Sequence, residues 1–117
     1  MTTQEVANRL VALCRQGQIQ QAQAELYADN IASIEPEHAP VKSATGKAAV
    51  AEKGKQFADS MEERHGGSFS DPIVGGRYFS VAMVLDATFK GMGRMSLEEI
   101  CVYEVKDGQI VSEQFFF

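Results

Sequence analysis

Apolar residues recur at helical spacing through the first half of the chain and at every second position through its last third, a pattern that predicts helices first and a sheet last. Thr2 stands three positions before Glu5, the spacing of a capping box, and Val6, Leu10 and Leu13 then share one helical face before Gly17 stops the run. A second amphipathic stretch begins at Gln18, turns Ile19, Ala22 and Leu26 inward, and ends near Tyr27-Ala28-Asp29-Asn30, where the asparagine suits a left-handed exit. Ile31 to Glu35 reads as a brief strand, because Pro36 imposes extended geometry on the residue before it, and Glu37 to Pro40 reads as loop. A third helix follows Thr45-Gly46, with Val50, Gly54, Phe57 and Met61 along one face. Gly54 weakens it by about 1 kcal/mol relative to alanine unless a neighbouring element packs closely there.

From Phe69 the period changes to two. Phe79, Val81, Met83, Leu85, Ala87 and Phe89 alternate with Ser80, Ala82, Val84, Asp86 and Thr88, the mark of a strand with one buried face. Gly91-Met92-Gly93 supplies a turn, Leu97 to Val105 alternates again, and Lys106-Asp107-Gly108 is an Asp-Gly hairpin turn that returns the chain through Ile110 to Phe117. Helices followed by an antiparallel meander give an α+β class with the helices gathered on one face of a curved sheet.

With 117 residues, 44% of them hydrophobic, the chain can fill one core, so residues 1–117 are expected to form a single domain. A formal charge of -5 with no block of basic residues argues against nucleic acid or an anionic membrane as partner. Cys14 and Cys101 are too few for a disulfide framework and read as free thiols of a reducing compartment. The opening Met-Thr-Thr-Gln-Glu is not a basic region before an apolar run, and no apolar stretch approaches membrane-spanning length, so a cytoplasmic protein is expected.

Leu26-Tyr27-Ala28-Asp29-Asn30 leading to Glu35-Pro36, then Arg94-Met95-Ser96-Leu97-Glu98-Glu99-Ile100, and above all the run from Val105-Lys106-Asp107-Gly108 to Gln114-Phe115-Phe116 resemble the SnoaL-like branch of the nuclear transport factor 2-like superfamily. The resemblance covers nearly the whole chain and implies a cone of strongly curved antiparallel sheet wrapped around N-terminal helices, with a pocket at its open end. Steroid isomerases, polyketide cyclases, dehydratases and epoxide hydrolases of this superfamily place acids in that pocket, while other members only bind ligands or partners. Carried over residue by residue, the ketosteroid isomerase pattern puts its general-base aspartate on Glu35, its donor tyrosine on Leu10 and its protonated aspartate on Cys101. A thiol is a weak donor and cannot stand in for a neutral carboxylic acid, so the resemblance does not extend to a steroid-isomerase mechanism.

If Cys101 points into the cone, alternation puts Leu97, Glu99, Tyr103 and Val105 on the same face, and the return strand adds Glu113, Phe115 and Phe117. Carboxylates among such neighbours have raised pKa values, which suits acid–base work near neutral pH and makes Glu99 and Glu113 the candidate catalytic groups, assisted by Tyr103 or His65. Each glutamate could instead lie outward, satisfied by Arg77, Arg94 or a backbone amide. Glu35, Phe57, Met61, Leu97, Cys101, Phe115 and Phe117 are the candidate ligand-binding residues. His65, in Glu62-Glu63-Arg64-His65-Gly66-Gly67 between the third helix and the sheet, is expected to sit in a turn, either over the pocket mouth or at the surface. No His-Glu-x-x-His or Cys-x-x-Cys spacing is present, and neither a metal nor a cofactor is expected. The expected ligand is a small, largely apolar molecule, bound for isomerase, cyclase or lyase chemistry or merely held by a non-catalytic module, and a homodimer through the sheet is expected to cover its apolar outer face.

Overall fold

Thr2 caps the first helix, α1 (Thr3–Arg15), as the spacing predicts: its hydroxyl accepts from the Glu5 backbone amide at 3.1 Å, while its own amide donates to the Glu5 carboxylate at 2.9 Å. The computed structural model describes all 117 residues. After Gly17, which takes a positive φ of 73°, α2 (Ile19–Leu26) packs back against α1. The chain then enters β1 (Tyr27–Ile34), crosses a loop to the two-residue β2 (Ala44–Thr45), and forms α3 (Lys47–Asp59). Five strands complete it: β3 (Met61–Phe69), β4 (Ile73–Gly75), β5 (Tyr78–Phe89), β6 (Gly93–Lys106) and β7 (Gln109–Phe116).

These strands make one sheet in the order β2-β1-β7-β6-β5-β3, with β4 also paired to β5. The α+β class and the helices on one face of a curved sheet are as expected. One pairing is not antiparallel: β1 runs parallel to β7, matching Ser33 with Glu113 and Ile34 with Gln114. That pairing also overturns the helical reading of Tyr27 to Asn30. Tyr27 is extended and matched with Ile110, and Asp107 is the one non-glycine residue with positive φ, so Asn30 makes no left-handed exit. Asp107 and Gly108, at φ 53° and 75°, form the β6–β7 turn that Asp-Gly predicts.

Met61 to Gly67 is the second difference. Met61 opens β3 instead of ending α3, and His65 lies within that strand instead of in a turn. Ladder bonds to β5, with Arg64 opposite Ala87 and Phe69 opposite Met83, override the weak strand preference of a stretch rich in charge and glycine. Gly67 is needed there, since a Cβ would lie 2.6 Å from the Val84 carbonyl oxygen.

The main core lies where α1, α2 and the start of α3 meet the inner face of the sheet: Val6, Leu10, Leu13, Leu26, Val50, Phe79, Cys101 and Ile110 are buried in it. A smaller cluster of Leu85, Ala87 and Phe89, with Phe57, Met61, Met95 and Leu97 against it, fills the far end beneath α3. Between these two apolar regions lies a set of polar groups.

Candidate active site

Alternation on the long strands brings these groups together. Inward positions of β6 run Leu97, Glu99, Cys101, Tyr103, Val105, and the β5 partners of the first four are Leu85, Met83, Val81 and Phe79. The Tyr103 ring stacks on that of Phe79 at 4.7 Å. On β7, Cys101 and Tyr103 are matched with Phe115 and Glu113. Simple alternation from the buried Ile110 would turn Glu113 outward, but the register shifts where Val105 meets Ile110 and Glu104 meets Ser112, so both are buried.

Glu113 is 4% exposed and fully engaged. One carboxylate oxygen accepts from the Tyr27 hydroxyl and the other from the Ser33 hydroxyl at 2.6 Å. Ser33 is the parallel-strand partner of Glu113, so backbone register alone sets this contact. Ser33 in turn accepts from the Lys53 ammonium at 2.5 Å, and Lys53 also donates to Glu35 at 3.1 Å. The ammonium stands 5.4 Å from the centroid of the Phe115 ring. With side chains 13% and 12% exposed, Lys53 and Glu35 are the well-buried ion pair of the molecule; in each of the other four, one partner is 42% exposed or more.

Burial is the dominant electrostatic fact here. It raises the Glu113 carboxyl above the ordinary value, against the opposing pull of Ser33, Tyr27 and Lys53. Burial likewise pushes the Cys101 thiol up to about 12 and Cys14 to about 11, with the Glu113 charge adding to both, so these thiols stay protonated and inert. The Tyr27 and Tyr103 phenols are held neutral for the same reason. Glu99 is different. It is half-buried and raised by burial and then by the Glu35 charge, with no hydrogen bond or opposite charge acting to lower it.

Of the expected site residues, Glu99, Cys101, Tyr103, Glu113 and Phe115 share the inner wall, and Glu35 closes onto it through Lys53. Phe57, Met61 and Leu97 line the apolar far end. Phe117 is 47% exposed and meets the edge of the His38 ring at 5.4 Å, so it lies at the surface and not on the inner wall. His65 is not at the pocket mouth. Its Nε2 lies 2.7 Å from Thr88 Oγ1 on the outer face, opposite the buried side of β5.

Sequence reasoning missed Tyr27, Ser33 and Lys53. For Lys53 a signal existed: it lies three residues after Val50 and four before Phe57, on the apolar face of α3, where a lysine is out of pattern. No group of three or more His, Cys, Asp or Glu is placed to hold a metal ion. A cavity of about 180 Å³ opens beside Glu35, between Pro36 and Ser43, and a surface groove of about 590 Å³ separates α2 from α3.

A family model described as the SnoaL-like domain matches residues 1–117. The chain belongs to the SnoaL-like family. The crystal structure of a candidate SnoaL-like polyketide cyclase from Mesorhizobium loti is 35% identical and superimposes with a TM-score of 0.94, all of both chains being covered. Two more distant structures show the shared fold alone. A cystatin-like protein of unknown function from Xanthomonas campestris is 13% identical at a TM-score of 0.82, covering 99% of this SnoaL-like chain and 90% of its own. A ketosteroid isomerase-like fold from Catenulispora acidiphila, in complex with trimethylamine, is 15% identical at a TM-score of 0.75, covering 97% and 85%. No curated protein matches this SnoaL-like chain with significant similarity. No helix in it is long and apolar enough to cross a membrane.

Proposed function

We propose that this SnoaL-like protein holds a small, largely apolar molecule against the inner wall of its sheet and acts on it by acid–base chemistry of isomerase, cyclase or lyase type. The observation that carries the reading is Glu99: a half-buried inward carboxyl that no protein group neutralises or bonds, beside apolar Met83, Leu97 and Phe115. Such a group is raised toward neutrality and is free to take a proton from, or give one to, a bound molecule. Glu113 is the second acid, and Tyr27 and Tyr103 hold neutral hydroxyls close to it. Kinship with a candidate polyketide cyclase at 35% identity agrees with chemistry on an apolar substrate.

Native mass spectrometry of protein purified from cells tests the binding half, with retention of a small apolar molecule by wild type and its loss on Leu97→Trp as the expected pair of results. Glu99→Gln tests the chemical half: turnover of the retained molecule should fall at least about a hundredfold while affinity changes little. Unchanged turnover would remove Glu99 from the mechanism.

A non-catalytic binding module is the second reading, favoured by one observation: both oxygens of Glu113 are already bonded within the protein. It predicts retention without turnover. In either case a second copy covering the outer sheet face, where Ile34, Ile100 and Phe116 are 36%, 47% and 48% exposed, accounts for apolar surface that a monomer leaves in water. Sedimentation velocity is the direct check. A cytoplasmic setting agrees with two free cysteines.

A further inference from the structure

Glu113 has no direct route to solvent, yet an acid that works in a catalytic cycle must regain its proton. The geometry points to Lys53 and Ser33 as a proton relay between the cavity beside Glu35 and the buried carboxyl of Glu113. This rests on the acid–base reading for its purpose but on the hydrogen bonds alone for its existence.

The donors run in one direction. Lys53 Nζ donates to Ser33 Oγ at 2.5 Å, and Ser33 Oγ donates to Glu113 Oε2 at 2.6 Å, while Tyr27 occupies the other carboxylate oxygen and leaves Oε2 to the serine. A proton moves inward along these bonds in one step. The Lys53 N–H bond breaks and its electron pair stays on nitrogen; Ser33 Oγ gains that hydrogen as it passes its own to Glu113. An ammonium and a carboxylate become an amine and a carboxylic acid, the serine is restored, and net charge is unchanged. Lys53 then regains its proton by way of the Glu35 carboxylate, 3.1 Å away, which takes a proton from cavity water and hands it to the amine. The 180 Å³ cavity lined by Glu35 is large enough for several waters, at about 30 Å³ each.

The other titratable groups around Glu113 do not offer a competing path. Cys14 from α1 and Cys101 and Tyr103 from β6 make no hydrogen bond to Glu113 and are held protonated by burial, and Tyr27 from β1 donates to it but, unlike Ser33, accepts from no donor that could reload it. Glu99 acts on Cys101 and is itself acted on by Glu35, and it forms no hydrogen bond in this chain of donors. Lysine is the right residue for the middle of such a path, because it presents three N–H donors and can release one, whereas a guanidinium cannot be deprotonated in a protein.

That difference supplies the test. Carboxyl carbon NMR on protein labelled at glutamate, with no ligand added, reads both the titration midpoint of Glu113 and the rate at which its proton exchanges with solvent. Lys53→Arg keeps the charge, so the midpoint should stay near the wild-type value while exchange slows at least about tenfold. Ser33→Ala should slow exchange equally and raise the midpoint, since the carboxylate loses a donor. Lys53→Met should slow exchange and raise the midpoint. Wild-type exchange rates in Lys53→Arg and Ser33→Ala, whatever their midpoints, would overturn the relay and leave Lys53 a fixed charge. Ser33→Ala stands independently should the arginine fail to fit. Because no ligand enters the measurement, a protein that retains no small molecule defeats the pocket reading without touching this one.

Discussion

Glu113 on the inner face and Asp86 on the outer face are carboxylates on long strands, each bonded through both oxygens, and they respond in opposite directions. Asp86 receives a two-point contact from Arg94, at 2.9 Å and 3.1 Å, with side chains 35% and 63% exposed, and its carboxyl is lowered, first by the hydrogen bond from Arg94. Glu113 receives two hydroxyls backed by a lysine, and is raised, first by burial. A cation decides the matter where water still solvates the anion; loss of water decides it where the cation arrives only through a serine. Surface pairs of the Asp86 kind are common and weak. A carboxyl of the Glu113 kind is held in place because two hydroxyls converge on it, one of them backed by an ammonium.

The largest expected effect that would sharpen this contrast is that of Glu113→Ala, which strands the Tyr27 and Ser33 hydroxyls without their acceptor. Urea unfolding should show a loss of about 3 kcal/mol, while Asp86→Ala stays near wild type. Equal losses would erase the distinction between the two faces. Next is Tyr27→Phe, which removes one donor and should destabilise by about 1.5 kcal/mol, more at about pH 8 than at about pH 5, because the lost bond serves the ionised carboxylate.

The smallest effect is in the slope of stability with pH, and its sign differs between the two acids. Glu113, raised in the fold above 4.5, binds its proton more tightly folded than unfolded, so stability is greatest below that value and declines as pH rises through the folded pKa. Asp86, lowered below 3.8, contributes stability above that value that is lost as pH falls through its folded pKa. Unfolding midpoints for Glu113→Gln should therefore lose the decline on the upper side, and those for Asp86→Asn should lose the fall on the acid side. The same pH dependence in both variants would break the comparison.

Much of the inner wall was legible because a strand has a period of two. Once Cys101 is placed inward, Leu97, Glu99, Tyr103 and Val105 follow, and the structure agrees at each of them. Glu113 required a bulge to reach the same face of the sheet, and the register shift between β6 and β7 supplies it. His65 and Tyr27 were misread for a common reason. Both lie in strands whose local composition favours turns or helix, and both strands are held extended by pairing far along the chain, β3 on either side of His65 with β5, and Tyr27 with Ile110.

Local pattern was therefore enough for the α+β class, the α1 capping box, the Asp-Gly turn and the inward set on β6, because each depends on neighbours a few residues away. The family followed from the same run of elements. The Tyr27, Ser33, Lys53, Glu35 and Glu113 network did not, since its members come from β1, the residue just after it, α3 and β7, and meet only when β1 pairs in parallel with β7 and α3 lies across them. Whether a carboxyl is raised or lowered also waits on that assembly, because it depends on how much water the folded sheet and helices exclude from each oxygen.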